Sequence, residues 1–363
     1  MRKEKMIEQI IASVGPMDAA ALERCQRRLD NLTKPLGSLH HLEFLALKLA
    51  GVTGQYRPAL QQKQAVLVVA ADHGLVKALC KEGKTTAQRV ADACRVDSPL
   101  HVFAAKNAAE VVLVNAGMRE KFVHERLQQA AVAFGTCDWR QGPAMKEDLV
   151  LEALCLGISL AQAEADKGVR ILGLGSIAKG GMLSALILAT VLGGGVPVSL
   201  RQQAAASERA ANQLALVEEA LVLWNGETDA RAVLGHFGGL ETVVLCGAIL
   251  GGAARGMLLV LDGVETAVAA LAAAQMQPLV KNYLIAPHVA AEPGFQEVLF
   301  LLGLPSYLQL KLQQSEGIGA VLGMSLLRAS LHMLNDMRTF GEAAVAVAQD
   351  GPGAERQSHA VRD

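Results

Sequence analysis

Short apolar runs that end in polar turns alternate with longer segments of helical periodicity through most of the chain. Runs of mainly apolar residues predict strands at 65–70, 111–114, 169–176, 194–200, 257–261 and 283–286. Parallel strands that are buried on both faces read as continuous apolar runs of this kind. The pattern therefore predicts an α/β fold in which helices pack on a mostly parallel sheet.

The two ends of the chain carry a different pattern, in which apolar residues recur at helical spacing. Residues 1–50 are predicted to be helical, with Asp18 as an N-cap, and helices are predicted again up to about residue 347. Further helices are predicted at 207–223 and 242–255. The polar residues 350–363 are expected to form a flexible tail.

Composition excludes several classes of function. The chain has 363 residues, a net charge of −1 and no long basic block, so we expect neither a nucleic-acid nor an anionic-membrane partner. The charge-free stretch 181–200 is interrupted by three glycines and Pro197, which argues against a membrane span. Six scattered cysteines lack disulfide or zinc spacing, and the charged amphipathic start is not a signal peptide, so a cytoplasmic location is expected.

Polar residues follow several predicted strands. Asp72 and His73 come after the first run, Asp262 follows the run 257–261, and His288 follows the last one. Ligands usually bind beyond the carboxyl ends of strands in open α/β sheets. Each of these side chains can either contact a ligand in that position or hydrogen-bond its own turn.

Two further sites are candidates for binding an anion. The predicted strand 169–176 enters a glycine-rich turn at Gly173, Gly175 and Ser176, and backbone N–H groups at such a turn can cradle a phosphate. The pattern is not that of a dinucleotide-binding loop, so no such cofactor is expected. Lys34, in a turn marked by proline and glycine, either contacts an anion or is an ordinary solvated lysine.

Glu316 lies in the glycine-rich stretch 315–320, ahead of a predicted helix. Small neighbours such as Gly317 let a ligand approach the backbone and leave the carboxylate free to point into a pocket. Glu316 is thus either a general base or an acid that caps the following helix.

Taken together, these turns resemble one known family. The matching segments, which occur in the family's order, are 32–39, 71–74, 135–136, 143–145, 238–241, 262–263, 288–294 and 316–320. The family is the nicotinate-nucleotide:dimethylbenzimidazole phosphoribosyltransferases of cobalamin lower-ligand synthesis. The resemblance extends from about residue 15 to residue 347.

The resemblance implies a doubly wound large domain (55–310), a small helical domain formed from both chain ends (1–54 and 311–347), and a dimer. It implies transfer of 5-phosphoribose from nicotinate mononucleotide to an aromatic lower-ligand base, with release of nicotinate and without a metal or other cofactor. Glu316 matches the family's general base. The other residues expected to bind substrate are Lys34, Asp72, His73, Gln88, Gly173, Gly175, Ser176, Asp262, His288 and Gly317.

The chain also departs from the family at several positions. Ile177 and Ala178 stand where the family has two threonines that donate to the phosphate, and Gln213 stands where it has a lysine. A segment that lines the base pocket is missing after 82–83. These losses indicate a relaxed site in a chain that has kept its fold.

Three interpretations follow from these departures. The first is that the chain is the subunit with the degenerate site in a heterodimer of two related subunits that acts on phenolic acceptors. The second is a self-sufficient homodimeric enzyme with altered acceptor specificity, in which Lys34 and Lys179 replace lost contacts. The third is a protein that binds a nucleotide or a base without catalysis. The sequence leaves the acceptor, phenolic or benzimidazole, open.

Overall fold

The computed structural model describes residues 2–75, 83–313, 316–347 and 353–362. At its centre lies a six-stranded sheet whose paired strands are all parallel. The strands are β1 (Gln64–Ala71), β2 (Ala109–Gly117), β3 (Leu127–Gln129), β4 (Ile171–Ile177), β5 (Leu258–Val260) and β6 (Leu284–Ile285). Their order is β3-β2-β1-β4-β5-β6, so the winding reverses between β1 and β4 and the predicted doubly wound fold is confirmed.

Helices precede the sheet, connect its strands and follow it. In chain order they are α1 (Arg2–Ser13), α2 (Ala19–Asn31), α3 (His40–Thr53), α4 (Thr86–Ala93), α5 (Pro99–Lys106), α6 (Glu147–Asp166), α7 (Gly181–Gly193), α8 (Val198–Ala204), α9 (Glu208–Leu223), α10 (Ala230–Phe237), α11 (Leu240–Ala254), α12 (Val264–Met276), α13 (Phe295–Leu302), α14 (Ile318–Asp336) and α15 (Phe340–Ala343). Short 3₁₀ turns lie at Trp139–Gln141, Pro278–Tyr283 and Ala354–Arg356. Asp18 caps α2 as predicted, because its carboxylate accepts a hydrogen bond of 2.7 Å from the N–H of Ala21.

Alternate residues of β1 belong to two different apolar cores. Leu67 and Val69 pack into the large core that also contains side chains of α6, α7, α11 and α12. Val66 and Val68 lie in a smaller core with α4, α5 and Val321 of α14. All eight residues of β1 are buried, which explains why its sequence is apolar from Ala65 to Ala71.

The helices of the two chain ends meet in a third core. Cys25 and Leu29 of α2 pack with Ala46 of α3 and with Met333 and Leu334 of α14. This contact is what a small helical domain made from both ends requires, although the exact division into two domains stays a prediction.

One predicted strand is wrong. Residues 194–200 form a turn and the start of helix α8, because Gly194, at φ +76°, ends α7 and Pro197 is the N-cap of α8. A short apolar run beside glycine and proline does not distinguish a strand from a helix. None of the described helices is both long and apolar enough to cross a membrane.

Residues 353–362, within the expected tail, make contacts with the helices. The Asn31 side chain donates to the Arg356 carbonyl at 3.0 Å and accepts from the N–H of Ser358 at 2.6 Å. The Thr339 hydroxyl donates to the Val361 carbonyl at 2.7 Å. The structure therefore ties this segment to α2 and α15, which differs from the free tail expected from its composition.

Candidate active site

The polar residues that follow the strands gather at the carboxyl edge of the sheet. Asp72 and His73 follow β1, Asp262 lies just beyond β5, and His288 lies beyond β6. In a parallel sheet the carboxyl ends of all strands lie at one edge. Apart from Asp72, which is half-buried, these side chains are buried.

The turn that carries Glu316 is fixed to this edge by Asp262. The N–H of Gly317 donates to Asp262 Oδ2 at 2.6 Å, and His288 Nε2 lies 3.3 Å from Asp262 Oδ1. Gly317 has φ +92°, a conformation that favours glycine. At Gly319 a Cβ atom would lie 1.9 Å from His288 Nε2, so only glycine fits there. The structure thus brings Glu316, Gly317, Asp262 and His288 together. Ser315 lies outside the described residues.

Glu316 is paired with an arginine that sequence reasoning missed. Arg89 of α4 donates from Nε at 3.0 Å and from Nη2 at 2.8 Å, both to Glu316 Oε1. Its Nη1 also lies 3.4 Å from the carbonyl oxygen of Ala178, just beyond β4. Thr85 and Gln88 form a capping box that fixes the start of α4. The S/T-x-x-Q pattern of this capping box is the sequence signal that could have found Arg89, because it marks the start of a helix. In that helix Thr86 and Arg89 are three residues apart and lie on one face.

Asp72 holds the beginning of α4 against the sheet. Its Oδ1 accepts from the Thr86 hydroxyl at 2.5 Å, and its Oδ2 accepts from the N–H of Arg119 at 2.8 Å. The Thr86 oxygen in turn accepts from the N–H of Lys179 at 3.1 Å, in the turn after β4. In this structure Asp72 therefore positions the helix that carries Arg89.

His73 belongs to a separate, sealed pair with Glu241 at the start of α11. His73 Nε2 lies 2.8 Å from Glu241 Oε1, and both side chains are buried. Burial alone would lower the pKa of His73, but the nearby carboxylates, Glu241 above all and then Asp72 and Glu265, raise it above the ordinary value. A protonated His73 neutralises a carboxylate that would otherwise be a buried lone charge.

The predicted phosphate-binding residues lie inside β4 and not in a turn. Gly173, Gly175 and Ser176 are buried strand residues, and the turn begins only after Ile177. Gly175 has a packing role, since a Cβ there would lie 2.5 Å from the backbone nitrogen of Gly317. The prediction of a turn is therefore wrong, because glycine at this point serves the close approach of two backbones.

Two predicted binding residues make their contacts elsewhere. Lys34 is buried, and its Nζ lies 2.7 Å from Glu43 Oε1 without the geometry of a hydrogen bond, so it is not an ordinary solvated lysine. Gln88 is exposed, and its side chain accepts from the N–H of Thr85 at 3.0 Å. The contacts of these two residues do not involve the cluster around Glu316. Within the described residues no group of histidine, cysteine and acidic side chains is arranged to hold a metal ion.

The fold and the cluster define an α/β enzyme with a carboxylate site at the point where the winding of the sheet reverses. Residues 14–345 match the family model DBI_PRT, described as a phosphoribosyltransferase. The chain belongs to this family, and the resemblance seen in the sequence motifs is confirmed.

Individual relatives agree with the family model along almost the whole chain. The nicotinate-nucleotide–dimethylbenzimidazole phosphoribosyltransferase of Chloroflexus aggregans is 38% identical over 347 residues, which are 94% of this chain and 98% of the relative. The enzyme of that name from Acetivibrio thermocellus is 31% identical over 346 residues, again 94% and 98% of the two chains. A crystal structure of the Thermus thermophilus enzyme superimposes with a TM-score of 0.85 at 34% identity, covering 91% of this chain and 99% of that one.

Proposed function

We propose that this chain is a subunit of a phosphoribosyltransferase that moves 5-phosphoribose from nicotinate mononucleotide to an aromatic lower-ligand base and releases nicotinate. We further propose that it is the subunit with the degenerate site in a heterodimer, acting in the cytoplasm. The relatives' names support the donor and the class of acceptor. The assignment of the degenerate site depends on the contact between Arg89 and Glu316.

The chemistry of the transfer explains why this contact matters. The acceptor attacks the anomeric carbon of the ribose, the bond from that carbon to the nicotinate nitrogen breaks, and its electron pair stays on the nicotinate ring. The acceptor loses a proton to a general base, the role proposed for Glu316. Arg89 donates two hydrogen bonds to Glu316 Oε1, so a side chain of the protein already occupies this oxygen. An incoming acceptor must therefore compete with Arg89 for Glu316 Oε1, as expected of a relaxed site.

The side that would bind the nucleotide supports the same proposal. Ile177 is completely buried and packs in the smaller core, and Ala178 is nearly as buried. Neither residue supplies a hydroxyl to a phosphate, and each missing hydrogen bond to a charged acceptor is worth roughly 1–3 kcal/mol. Binding of nicotinate mononucleotide by this chain alone should be correspondingly weak.

The decisive experiment measures transferase activity of the purified chain, with and without a related subunit that has an intact phosphate loop. Product formation is followed by chromatography with nicotinate mononucleotide and either a phenol or dimethylbenzimidazole. We expect no turnover by the chain alone and activity in the mixture. In that mixture Glu316→Gln should leave the rate close to that of the unmodified complex. Rapid turnover by the lone chain would refute the assignment of the degenerate site.

A self-sufficient homodimer is the second candidate, favoured by one feature of the same contact. Both hydrogen bonds from Arg89 go to Oε1 of Glu316, which leaves Oε2 as the oxygen that can take a proton. This candidate predicts turnover by the lone chain and its loss in Glu316→Gln by about 100-fold or more. Tight binding of nucleotide or base by calorimetry, without turnover in either preparation, would instead indicate a non-catalytic binding protein.

A further inference from the structure

Residues 353–362 lie beyond the family match, which ends at residue 345, and they pack against α2 and α15. We call this segment the strap. It is largely polar, but its Val361 side chain is buried. A polar segment of this kind is ordered only where other parts of the protein tie it down. The order of the strap therefore comes from its contacts with these helices.

Two completely buried polar side chains find hydrogen-bond partners in the strap. Asn31 donates to the carbonyl oxygen of Arg356 and accepts from the N–H of Ser358. Thr339 donates its hydroxyl proton to the carbonyl oxygen of Val361. All of these hydrogen bonds would be lost if the strap moved away. Because buried polar groups are costly without partners, both side chains favour the docked strap.

The strap also packs on the turn that carries Lys34. Gly353, at the start of the strap, lies so close to this turn that a Cβ atom on it would be 2.2 Å from Leu36 Cδ2. The turn is held as well by the N–H of Thr33, which donates to the carbonyl oxygen of Arg338 at 3.0 Å. The turn is therefore fixed both by the strap and by the segment that leads into α15.

Lys34 is buried in this turn without hydrogen bonds of its own. Its side chain is 6% exposed, and its Nζ lies 2.7 Å from Glu43 Oε1. Within the described residues the ammonium group makes no hydrogen bond. An ammonium group has three donors, and burial of a charge is costly unless it is hydrogen-bonded. The packing of the turn, and not a set of hydrogen bonds, therefore keeps Lys34 buried.

We propose that the strap is a conformational device that controls access to Lys34. The docked strap holds the turn closed over the lysine, and release of the strap exposes the ammonium group to solvent and to dissolved anions. The proposal is independent of the proposed function, since it concerns a different part of the molecule and needs no turnover.

A glycine in α15 offers a way to release the strap without altering the turn. At Gly341 a Cβ atom would lie 2.3 Å from the carbonyl oxygen of His359 and 2.9 Å from that of Val361. Gly341→Ala should therefore push the strap away. Val361→Asp should do the same by placing a charge at the buried anchor of the strap.

Chemical labelling of lysines tests the proposal on the whole chain. Wild type and variants are treated briefly with sulfo-N-hydroxysuccinimidyl acetate, and the acetylated fraction of each lysine is measured by mass spectrometry after digestion. Lys84, whose side chain is 64% exposed, is the internal reference. We expect Gly341→Ala and Val361→Asp each to raise the labelling rate of Lys34 by about tenfold or more relative to Lys84.

Two controls separate release of the strap from general loosening of the fold. Gly195→Ala adds a Cβ that would meet nothing within 4 Å, so it should label like the wild type. Lys48 in α3 is a second buried lysine, only 7% exposed, and its labelling rate should be the same in every variant. Equal increases at Lys34 and Lys48 would overturn the proposal, because they would indicate a loss of overall stability.

Hydrogen exchange of residues 353–362 shows independently whether the strap has been released. It should rise in Gly341→Ala and in Val361→Asp. Faster exchange of the strap with unchanged labelling of Lys34 would refute its control over the turn. Unchanged exchange in both variants would refute the proposal as well, because the docked strap would then depend on neither residue. None of these outcomes bears on the transferase assignment, which is measured by turnover.

Discussion

Two carboxylates at the same edge of the sheet are each paired with a cation, but in opposite environments. Glu241 is completely buried and lies 2.8 Å from His73. Glu316 lies at the same distance from Arg89, with both side chains partly exposed. The distances are alike, so the difference between the pairs lies in what surrounds them.

The comparison separates an ion pair that stabilises the fold from an ion pair that is available for chemistry. Charges sealed in the interior are costly unless they neutralise each other, so the loss of one partner is felt by the whole fold. An ion pair that water can reach contributes little to stability, because solvent screens both charges whether or not they meet. The open pair can therefore change partners during a reaction, whereas the sealed pair cannot without loss of stability.

The strongest test of this contrast removes Glu241. We expect Glu241→Ala to lower the free energy of unfolding by about 3–5 kcal/mol, because it leaves His73 as an uncompensated buried group. Urea unfolding followed by circular dichroism measures the change. Glu152→Ala, which removes a carboxylate from an exposed pair with Lys3, is the control and should unfold like the wild type. Similar midpoints for the two variants would show that the buried pair is not structural.

A smaller effect is expected where the open pair is supported by the sheet. Gly175→Ala places a methyl group 2.5 Å from the backbone nitrogen of Gly317, so the turn that carries Glu316 must move. The expected cost is about 1–3 kcal/mol of stability, as for overpacking of a core. Gly195→Ala is the matched control, since its Cβ would meet nothing within 4 Å. Equal stability of both variants would show that the turn is not held by β4.

The pH dependence of stability tests the sealed pair without mutation. The pKa of His73 is raised in the folded chain, so its contribution is complete below about pH 6.5 and is lost as the pH rises through the raised folded-state value. We expect the melting temperature of the wild type to fall over this range. The corresponding loss of stability should be smaller than the loss caused by Glu241→Ala. In Glu241→Gln this part of the pH dependence should disappear. A wild-type curve that stays flat or rises there would contradict the assignment.

The smallest effect on stability is expected at the open pair. Arg89→Met should change the free energy of unfolding by less than about 1 kcal/mol, because both side chains are partly exposed. A double-mutant cycle with Glu316→Gln should give a coupling energy of the same small size. A coupling energy as large as the effect of Glu241→Ala would place this pair in the structural class as well.

Much of the fold could be predicted from the sequence because burial on both faces leaves a strong pattern. The strands at β1, β2, β4 and β5 read as apolar runs, and the periodicity of the chain ends indicated their helices. Residues 194–200 could not be assigned in this way, since a turn built from glycine and proline separates two helices there. Propensity and local pattern do not contain that tertiary information.

The site was predictable only in part, for a related reason. Asp262 and His288 could be expected to lie together because strand ends converge. Arg89 could not, since its partner Glu316 is 227 residues away and no local pattern links them. Gly175 was misinterpreted, because a glycine that admits a neighbouring backbone and a glycine that cradles a phosphate look alike in a single sequence.

The third core, where α2 and α3 meet α14, has a consequence for synthesis of the chain. Met333 and Leu334, which cover Cys25 and Leu29, are made roughly 300 residues after them. Helices that pack on a segment far downstream in the chain cannot complete their core progressively from the amino terminus. The apolar faces of α2 and α3 must therefore wait uncovered, in reach of chaperones, and Glu316 enters the site only after all six strands of the sheet have been made.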